Sequence, residues 1–250
     1  MNHPLLALPI FLPIALISLA VGGSILRVCR VKPFGMLEQS VFATALGFGV
    51  LAYLILGIGL AGALTLPVLA ILLVVLAAES YSGLRSLAPS LYRALRNRLR
   101  SVPRASNAMV LLSAAILGAF TLMAALAPPS ASDWDGLAYH LAVPKLYLAA
   151  HRIFYVPFTS HSNFPFVTEM LYTLGLALQG PSVAKLFHYT MYLLTAAGIF
   201  TLCRRHLNRT AGSVGALLFM SVPIVVWEAG VAYADLSTGM FVLLAVYAVL

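Results

Sequence analysis

Long runs of apolar residues constrain this chain more than any other feature of its sequence. The runs 5–26, 40–61 and 108–127 contain no charged side chain, and each has the roughly 20 residues that a helix needs to cross a bilayer. Hydrophobic residues make up 62% of the chain and charged residues only 9%, which excludes an ordinary soluble domain. No run shows the alternation of a barrel strand. The sequence therefore predicts an all-α integral membrane protein, a multi-span helical bundle.

The apolar runs predict about seven transmembrane spans. Their approximate bounds are 5–26, 40–61, 67–79, 108–127, 183–202, 211–227 and 236–250. Three N-terminal spans (1–84) precede a basic loop (85–107), and a second transmembrane region (108–250) carries a long outer loop at about 129–182. Short interfacial helices are expected in that loop at 144–150 and 166–178. The last run is still apolar at Leu250, so we expect the chain to continue beyond it.

The distribution of basic residues predicts an orientation in the membrane. Twelve of the 15 Lys and Arg residues fall at one set of span ends, and only Lys145, Arg152 and Lys185 fall at the other. Because basic loops stay on the cytoplasmic side, we expect a multi-pass protein of the cell (inner) membrane whose N terminus and loop 129–182 are extracytoplasmic. The net charge of +8 follows from these loops. It predicts no nucleic-acid site, because the arginine-rich loop lacks interleaved aromatic residues.

Acidic residues collect at the predicted outer ends of the spans. Asp133 and Asp135 open the outer loop, and Glu228 and Asp235 return to the same face two spans later. Ionisable groups are costly near lipid, so this clustering indicates a site where carboxylates from separate loops converge. A paired aspartate on such a loop can accept a proton or bind a divalent cation. It can equally cap a helix and remain solvated, and the residues alone leave these readings open.

Two kinds of metal site are candidates in this region. A divalent cation such as Mg²⁺ or Mn²⁺ would suit carboxylate oxygens, with Asp135 and Asp235 as the ligands. His140, His151 and His161 also lie in the outer loop, but their spacing matches no compact zinc pattern and no cysteine joins them. A metal requirement is therefore not fixed by the sequence.

The second half of the chain contains several short motifs. They are Asp135-Gly-Leu-Ala-Tyr139-His140-Leu, Pro144-Lys145-Leu-Tyr-Leu, Asn163-Phe-Pro165, Glu169-Met-Leu-Tyr172 and Tyr233-Ala-Asp235-Leu-Ser. These motifs resemble those of bacterial membrane glycosyltransferases of the GT-C fold, in particular the family 39 type that includes protein O-mannosyltransferases and the aminoarabinose transferase of lipid A. The likeness covers residues 109–250. The three preceding spans look like an addition to the part of the chain that resembles the family.

The resemblance implies roles for individual residues. Asp135, four residues before the aromatic Tyr139, takes the place of the family's catalytic base, with Asp133 as a helper. Where the family often has an acidic pair, this chain has Gly136. The residues expected to bind substrate are Tyr139, His140, Lys145, Arg152, Asn163, Glu169, Glu228 and Asp235.

The implied reaction is inverting transfer of a sugar from a polyprenyl-phosphate donor to an acceptor at the extracytoplasmic face. The lipid tail of such a donor would hold its reacting carbon at the interface, where the outer loop is predicted to lie. A multi-span transporter and a non-catalytic membrane scaffold are the rival functions. A transporter would place carboxylates near the middle of the membrane, whereas all seven acidic residues here fall at span ends or in loops.

Overall fold

A computed structural model describes residues 6–31, 33, 35–100 and 105–250, with side chains between 82 and 107 described only at 83, 85, 89 and 96. These residues contain no β-strand. They form ten α-helices: α1 (Ala7–Val28), α2 (Met36–Leu60), α3 (Leu66–Arg100), α4 (Ala105–Leu126), α5 (Ala142–Ala150), α6 (Val167–Leu178), α7 (Pro181–His206), α8 (Arg209–Ser221), α9 (Pro223–Glu228) and α10 (Asp235–Val249). Arg104 and Lys32, which belong to the predicted basic side, lie outside the described residues.

Four of the described helices are long and apolar enough to cross a membrane. They are α1, α2, α7 and the part of α4 from Ala108 to Leu126, and each overlaps one of the predicted spans. The apolar part of α3 (Leu66–Tyr81) and the helix α10 are shorter than the roughly 20 residues that a span needs. The helical membrane class thus agrees with the sequence, and the count of seven spans stays a prediction.

Two predicted elements differ in the structure. Helix α3 continues to Arg100 with Pro89 inside it, so the backbone of most of the predicted basic loop is helical. The sixth apolar run is divided, because α8 ends at Ser221 and Val222 has extended geometry (φ −63°, ψ 122°) before α9. Pro223 explains this break, since a proline disfavours α geometry in the residue before it.

Helix α6 occupies the interior of the bundle. It packs against α2, α5 and α7, and Met170, Tyr172 and Leu174 have no exposed surface. The sequence predicted an interfacial helix at 166–178, and the residue range is nearly right. The burial was not foreseen, although a short helix that is apolar around most of its circumference is best stabilised when neighbours cover it.

The N-terminal helices share the largest core with the rest of the bundle. Phe48 of α2 and Phe11 of α1 both contact Phe187 of α7, with ring centroids 5.3 and 5.0 Å apart in edge-to-face geometry. All three rings are at least 96% buried, because their exposed fractions are 0–4%. The three N-terminal helices are therefore packed into the same bundle as α6 and α7.

Contacts between loops define the two ends of the bundle. At one end, here called the site end, the Ile153 N–H donates to the Gly59 carbonyl (2.9 Å), which joins the long loop to the end of α2. At the opposite end, Glu38 at the start of α2 accepts from Arg205 Nη1 (3.1 Å) and from the Tyr247 hydroxyl (2.9 Å). The predicted outer turn after α2 and the long loop thus lie together. Which side of a membrane each end faces stays a prediction.

Candidate functional site

The segment after α4 brings Asp135 to the site end through an unusual helical turn. Trp134 and Asp135 begin a helical stretch, and residues Gly136–His140 then form a π-helical turn in which the Leu141 N–H donates to the Gly136 carbonyl (2.9 Å). Single π-helical turns are rare, and many of those that occur lie at functional sites. The turn leads directly into α5, which begins at Ala142, two residues before the predicted start at Pro144.

The structure brings the Asp135 motif and the Tyr233–Asp235 motif into contact. The backbone N–H of Asp135 donates to the Tyr233 hydroxyl oxygen over 3.1 Å, across 98 residues of sequence. The Tyr172 hydroxyl of α6 donates to the Tyr233 carbonyl, which fixes the Tyr233 loop to the buried helix α6. Asp235 begins α10 two residues later and is exposed. Asp135 and Asp235 therefore lie at the same end of the molecule, as the sequence predicted.

The ring of Tyr139 contacts two histidine rings, those of His140 and His161. It stacks on His161 (centroids 4.2 Å apart, 9° between planes) and lies 4.2 Å from His140 at 43°. Burial, the charge of Asp135 and a hydrogen bond to Asp135 raise the pKa of Tyr139 to about 12. The Tyr139 hydroxyl therefore keeps its proton at ordinary pH and can donate to the Asp135 carboxylate.

His140 is itself fixed by Glu169 of α6. Its Nδ1 lies 2.6 Å from Glu169 Oε1, and both side chains are about 93% buried. A carboxylate that contacts one ring nitrogen fixes the orientation of an imidazole. The pair joins the π-helical turn to the buried helix α6, so that two residues predicted to bind substrate hold each other.

Two further carboxyl groups are buried behind the site, and each has at least one oxygen with no hydrogen-bond partner among the described residues. Asp133 is only 1% exposed, and neither of its carboxyl oxygens has a hydrogen-bond partner of good geometry within the described part of the chain. The Oε2 atom of Glu228 also has no such partner there. Burial raises the pKa of Asp133, and the charge of Lys185 partly opposes this. Burial and the charges of Asp235, Asp135 and Asp133 raise the pKa of Glu228 to about 7.

The Asp133 carboxyl packs against Gly136. A Cβ on Gly136 would lie 2.1 Å from Asp133 Oδ1, far inside van der Waals contact. Glycine at this position therefore makes room for the buried carboxyl, which is a different role from the second acidic residue that the family pattern places here. Asp133 is enclosed, so it can assist Asp135 through its charge rather than by touching a substrate.

The predicted cationic and amide residues stand apart from this cluster. Lys145, Arg152 and Asn163 are exposed, and the Asn163 amide donates to the Ser160 carbonyl (3.1 Å). Within the described ranges, no hydrogen bond or ion pair joins any of the three to an acidic residue. Their role in binding a substrate stays a prediction.

The described residues contain no group of three or more His, Cys, Asp and Glu side chains placed to hold a metal ion. His140 is directed to Glu169, while His161 stacks on Tyr139 and bonds to Thr159. His151 lies near the Leu64 carbonyl (3.4 Å) at the α2–α3 turn. His140 and His161 thus both contact the Tyr139 ring, whereas His151 contacts a different part of the chain. The divalent cation proposed for Asp135 and Asp235 stays a prediction.

Sequence patterns missed several residues that organise the site. Lys185 and His188 of α7 are buried beneath it, and Tyr233 bridges its two loops. Tyr233 stood in a quoted motif, so only its contact was unforeseen. Lys185 and His188 lie in an apolar span, where one cation and one histidine give no sign of which loops they face.

Comparisons with known proteins leave the function of this site open. No protein-family model matches the chain, and no solved structure matches it. Uncharacterized protein SF2093/S2215 of Shigella flexneri is 25% identical to it over 138 residues, which cover 54% of this chain and 68% of that protein. The name of this relative states no activity.

Proposed function

We propose that the protein is a membrane glycosyltransferase that moves a sugar from a polyprenyl-phosphate donor to an acceptor hydroxyl at the site end, with Asp135 as the base. The observation that carries this proposal is the contact between Asp135 and Tyr233. It gathers acidic residues from two distant loops around one exposed edge, at the ends of helices long enough to span a bilayer.

The proposed chemistry assigns a bond and a proton to each group. Asp135 takes the proton of an acceptor hydroxyl as its oxygen forms a bond to the anomeric carbon. The bond from that carbon to the donor phosphate breaks, and the phosphate leaves with the electron pair. The charge of the leaving phosphate needs a cation or hydrogen-bond donor nearby. The candidates are Lys145 and Arg152, which are exposed at this end of the molecule, and His140, which lies in the site.

Tyr139 supports the assignment of Asp135 as base. Its ring packs against His140 and His161, and its protonated hydroxyl is available to donate to the Asp135 carboxylate, which would orient that carboxylate before substrate arrives. One positioned base contributes about 10²–10⁴-fold to a rate. Orientation of donor and acceptor must provide the remainder.

The proposal is tested with the full chain in liposomes that contain a panel of labelled polyprenyl-phosphate hexoses and simple glycoside acceptors. We expect Asp135→Asn to lower sugar transfer by about 10²–10⁴-fold without changing membrane insertion, because the backbone contact to Tyr233 remains. The matched control is Glu79→Gln, which changes an exposed carboxyl on α3 and should keep normal transfer. Full activity of the Asp135→Asn protein, or no donor consumption by the folded unchanged protein, would contradict the proposal.

A second candidate function, proton-coupled transport, is favoured by the buried carboxyls of Asp133 and Glu228, which have oxygens without a hydrogen-bond partner among the described residues. Such groups are typical of proton pathways in transporters. The two functions separate in one comparison. A transporter would move protons across sealed liposomes without consuming a lipid-linked sugar, and Glu228→Gln would stop that movement.

A further inference from the structure

Two buried polar residues occupy one face of α7 beneath the site. Lys185 and His188 are three residues apart, so their side chains point the same way from the helix. They are 2% and 0% exposed. Polar side chains this deeply buried are costly unless their hydrogen bonds are satisfied, and in both cases the partners are backbone groups of other elements.

His188 binds the segment that carries Tyr233 and Asp235 at three points. Its Nδ1 lies 2.9 Å from the carbonyl oxygens of Glu228 and Val231, and the Leu236 N–H donates to its Nε2 over 3.3 Å. Carbonyl oxygens only accept, so Nδ1 carries the proton, and Nε2 must be the bare acceptor. The ring is therefore a neutral connector that grips both ends of residues 228–236.

Lys185 binds the end of the helix that precedes Asp133 and Asp135. Its Nζ donates to the carbonyls of Ala124 (2.8 Å) and Ala127 (2.5 Å). The last carbonyls of a helix lack partners within it, and a cation there also complements the helix dipole. Lys185 thus fixes the C-terminal end of α4, from which the Asp135 loop emerges.

We propose that Lys185 and His188, together called the α7 clamp, are positioning residues that set the separation of the Asp135 and Asp235 loops. The expected effect of the clamp on catalysis rests on the proposed function, whereas its effect on the positions of the two loops does not. Each residue holds one loop, and both project from one rigid helix. The direct link between the loops, from Asp135 to Tyr233, then closes the arrangement.

The clamp is tested by distances measured from a common point on α7. Spin labels are attached to cysteines at Leu193, an exposed position of α7, and at either Ser132 or Thr238, which are exposed beside the two loops. Native Cys29 and Cys203 are first replaced by serine. Double electron–electron resonance then reports each loop against α7 separately.

The expected outcome is selective. His188→Leu should broaden or shift the 193–238 distance and leave 193–132 unchanged, and Lys185→Met should do the reverse. His188→Gln should restore the narrow 193–238 distribution, because its amide can both donate and accept. Thr195→Val is the control. Among the described residues, the Thr195 hydroxyl donates to the Met191 carbonyl of its own helix (2.7 Å), so the substitution should change neither distance.

Activity provides the catalytic arm of the same test. A displacement of about 1 Å can cost about 10²-fold in rate, so His188→Leu should lower kcat by about that factor and His188→Gln should recover most of it. Unchanged distances in both clamp variants, or equal changes in both distances for every variant, would overturn the clamp. Selective distance changes in a protein that consumes no lipid-linked sugar would instead retain the clamp and refute the proposed function.

Discussion

At the scale of single residues, Glu228 makes the stability of the protein depend on pH. Its pKa is raised from 4.5 to about 7, first by burial and then by Asp235, Asp135 and Asp133. Below pH 4.5 the group is protonated in the folded and unfolded protein and contributes nothing. Between pH 4.5 and about 7 the unfolded chain loses the proton while the folded protein retains it, so stability falls as pH rises. Above about pH 7 the loss is complete.

We expect Glu228→Gln to remove this loss. An amide resembles the protonated carboxyl in shape, so the variant should gain on the order of 3 kcal/mol at pH 8 relative to pH 4.5, compared with the unchanged protein. The measurement is thermal unfolding in detergent micelles as a function of pH. Glu79→Gln, at an exposed carboxyl, should leave the profile unchanged. Parallel profiles for Glu228→Gln and the unchanged protein would show that Glu228 ionises normally.

Residue chemistry in the loops could be predicted from the sequence more fully than residue chemistry in the spans. Asp135, Tyr139 and Asp235 stood in recognisable motifs, and the structure places their loops in contact. The grip of His188 on residues 228–236 could not be foreseen. An apolar run predicts a helix that can cross a bilayer, but it does not specify which loop its few polar groups meet across the bundle.

At the scale of helices, the crossing of α1 and α2 depends on glycine. A Cβ on Gly47 would lie 1.8 Å from the Ser18 carbonyl oxygen, whereas a Cβ on Gly57 of the same helix would meet nothing within 4 Å. Small residues let helix backbones approach closely in membranes. The glycines of α2 are therefore not equivalent, because Gly47 lies at the crossing with α1 and Gly57 does not.

This difference gives a matched pair of variants. Gly47→Ala should force α1 and α2 apart and lower the free energy of unfolding by about 1–3 kcal/mol. Gly57→Ala should be neutral or stabilising by up to about 1 kcal/mol, because alanine is the better helix former. Chemical unfolding in mixed micelles measures both. An equal effect of the two substitutions would mean that the close crossing is not what the glycine at 47 provides.

Helix positions followed from apolar runs, whereas helix interruptions needed local detail. The predicted range 166–178 differs from α6 (Val167–Leu178) by one residue, and the seventh run matches α10. Helix α3 extends past the predicted end near Glu79 because a leucine-rich basic segment forms helix as readily as an apolar one. The break at Val222 required attention to Pro223 within an otherwise continuous apolar run.

At the scale of the whole molecule, acidic residues predominate at one end of the bundle and basic residues at the other. The site end holds Asp133, Asp135, Glu169, Glu228 and Asp235. At the opposite end Glu38 is paired with Arg205, and the exposed residues there include Arg204 and Arg209. Helix α7 connects the ends, because Lys185 lies near its start and Arg205 near its finish. Its 26 residues correspond to about 39 Å, enough to cross about 30 Å of hydrocarbon.

This arrangement predicts which cysteines a membrane-impermeant maleimide reaches. Cys29 is exposed at the end of α1 that adjoins the start of α2, and Ser132 is exposed at the site end. Because basic ends face the cytoplasm, a cysteine at Ser132 should react in intact spheroplasts. Native Cys29 should react only after the membrane is permeabilised. Cys203→Ser gives the background, and Cys29→Ser is the control for specificity. Reaction of both positions from the same side would contradict a bundle that crosses the membrane between them.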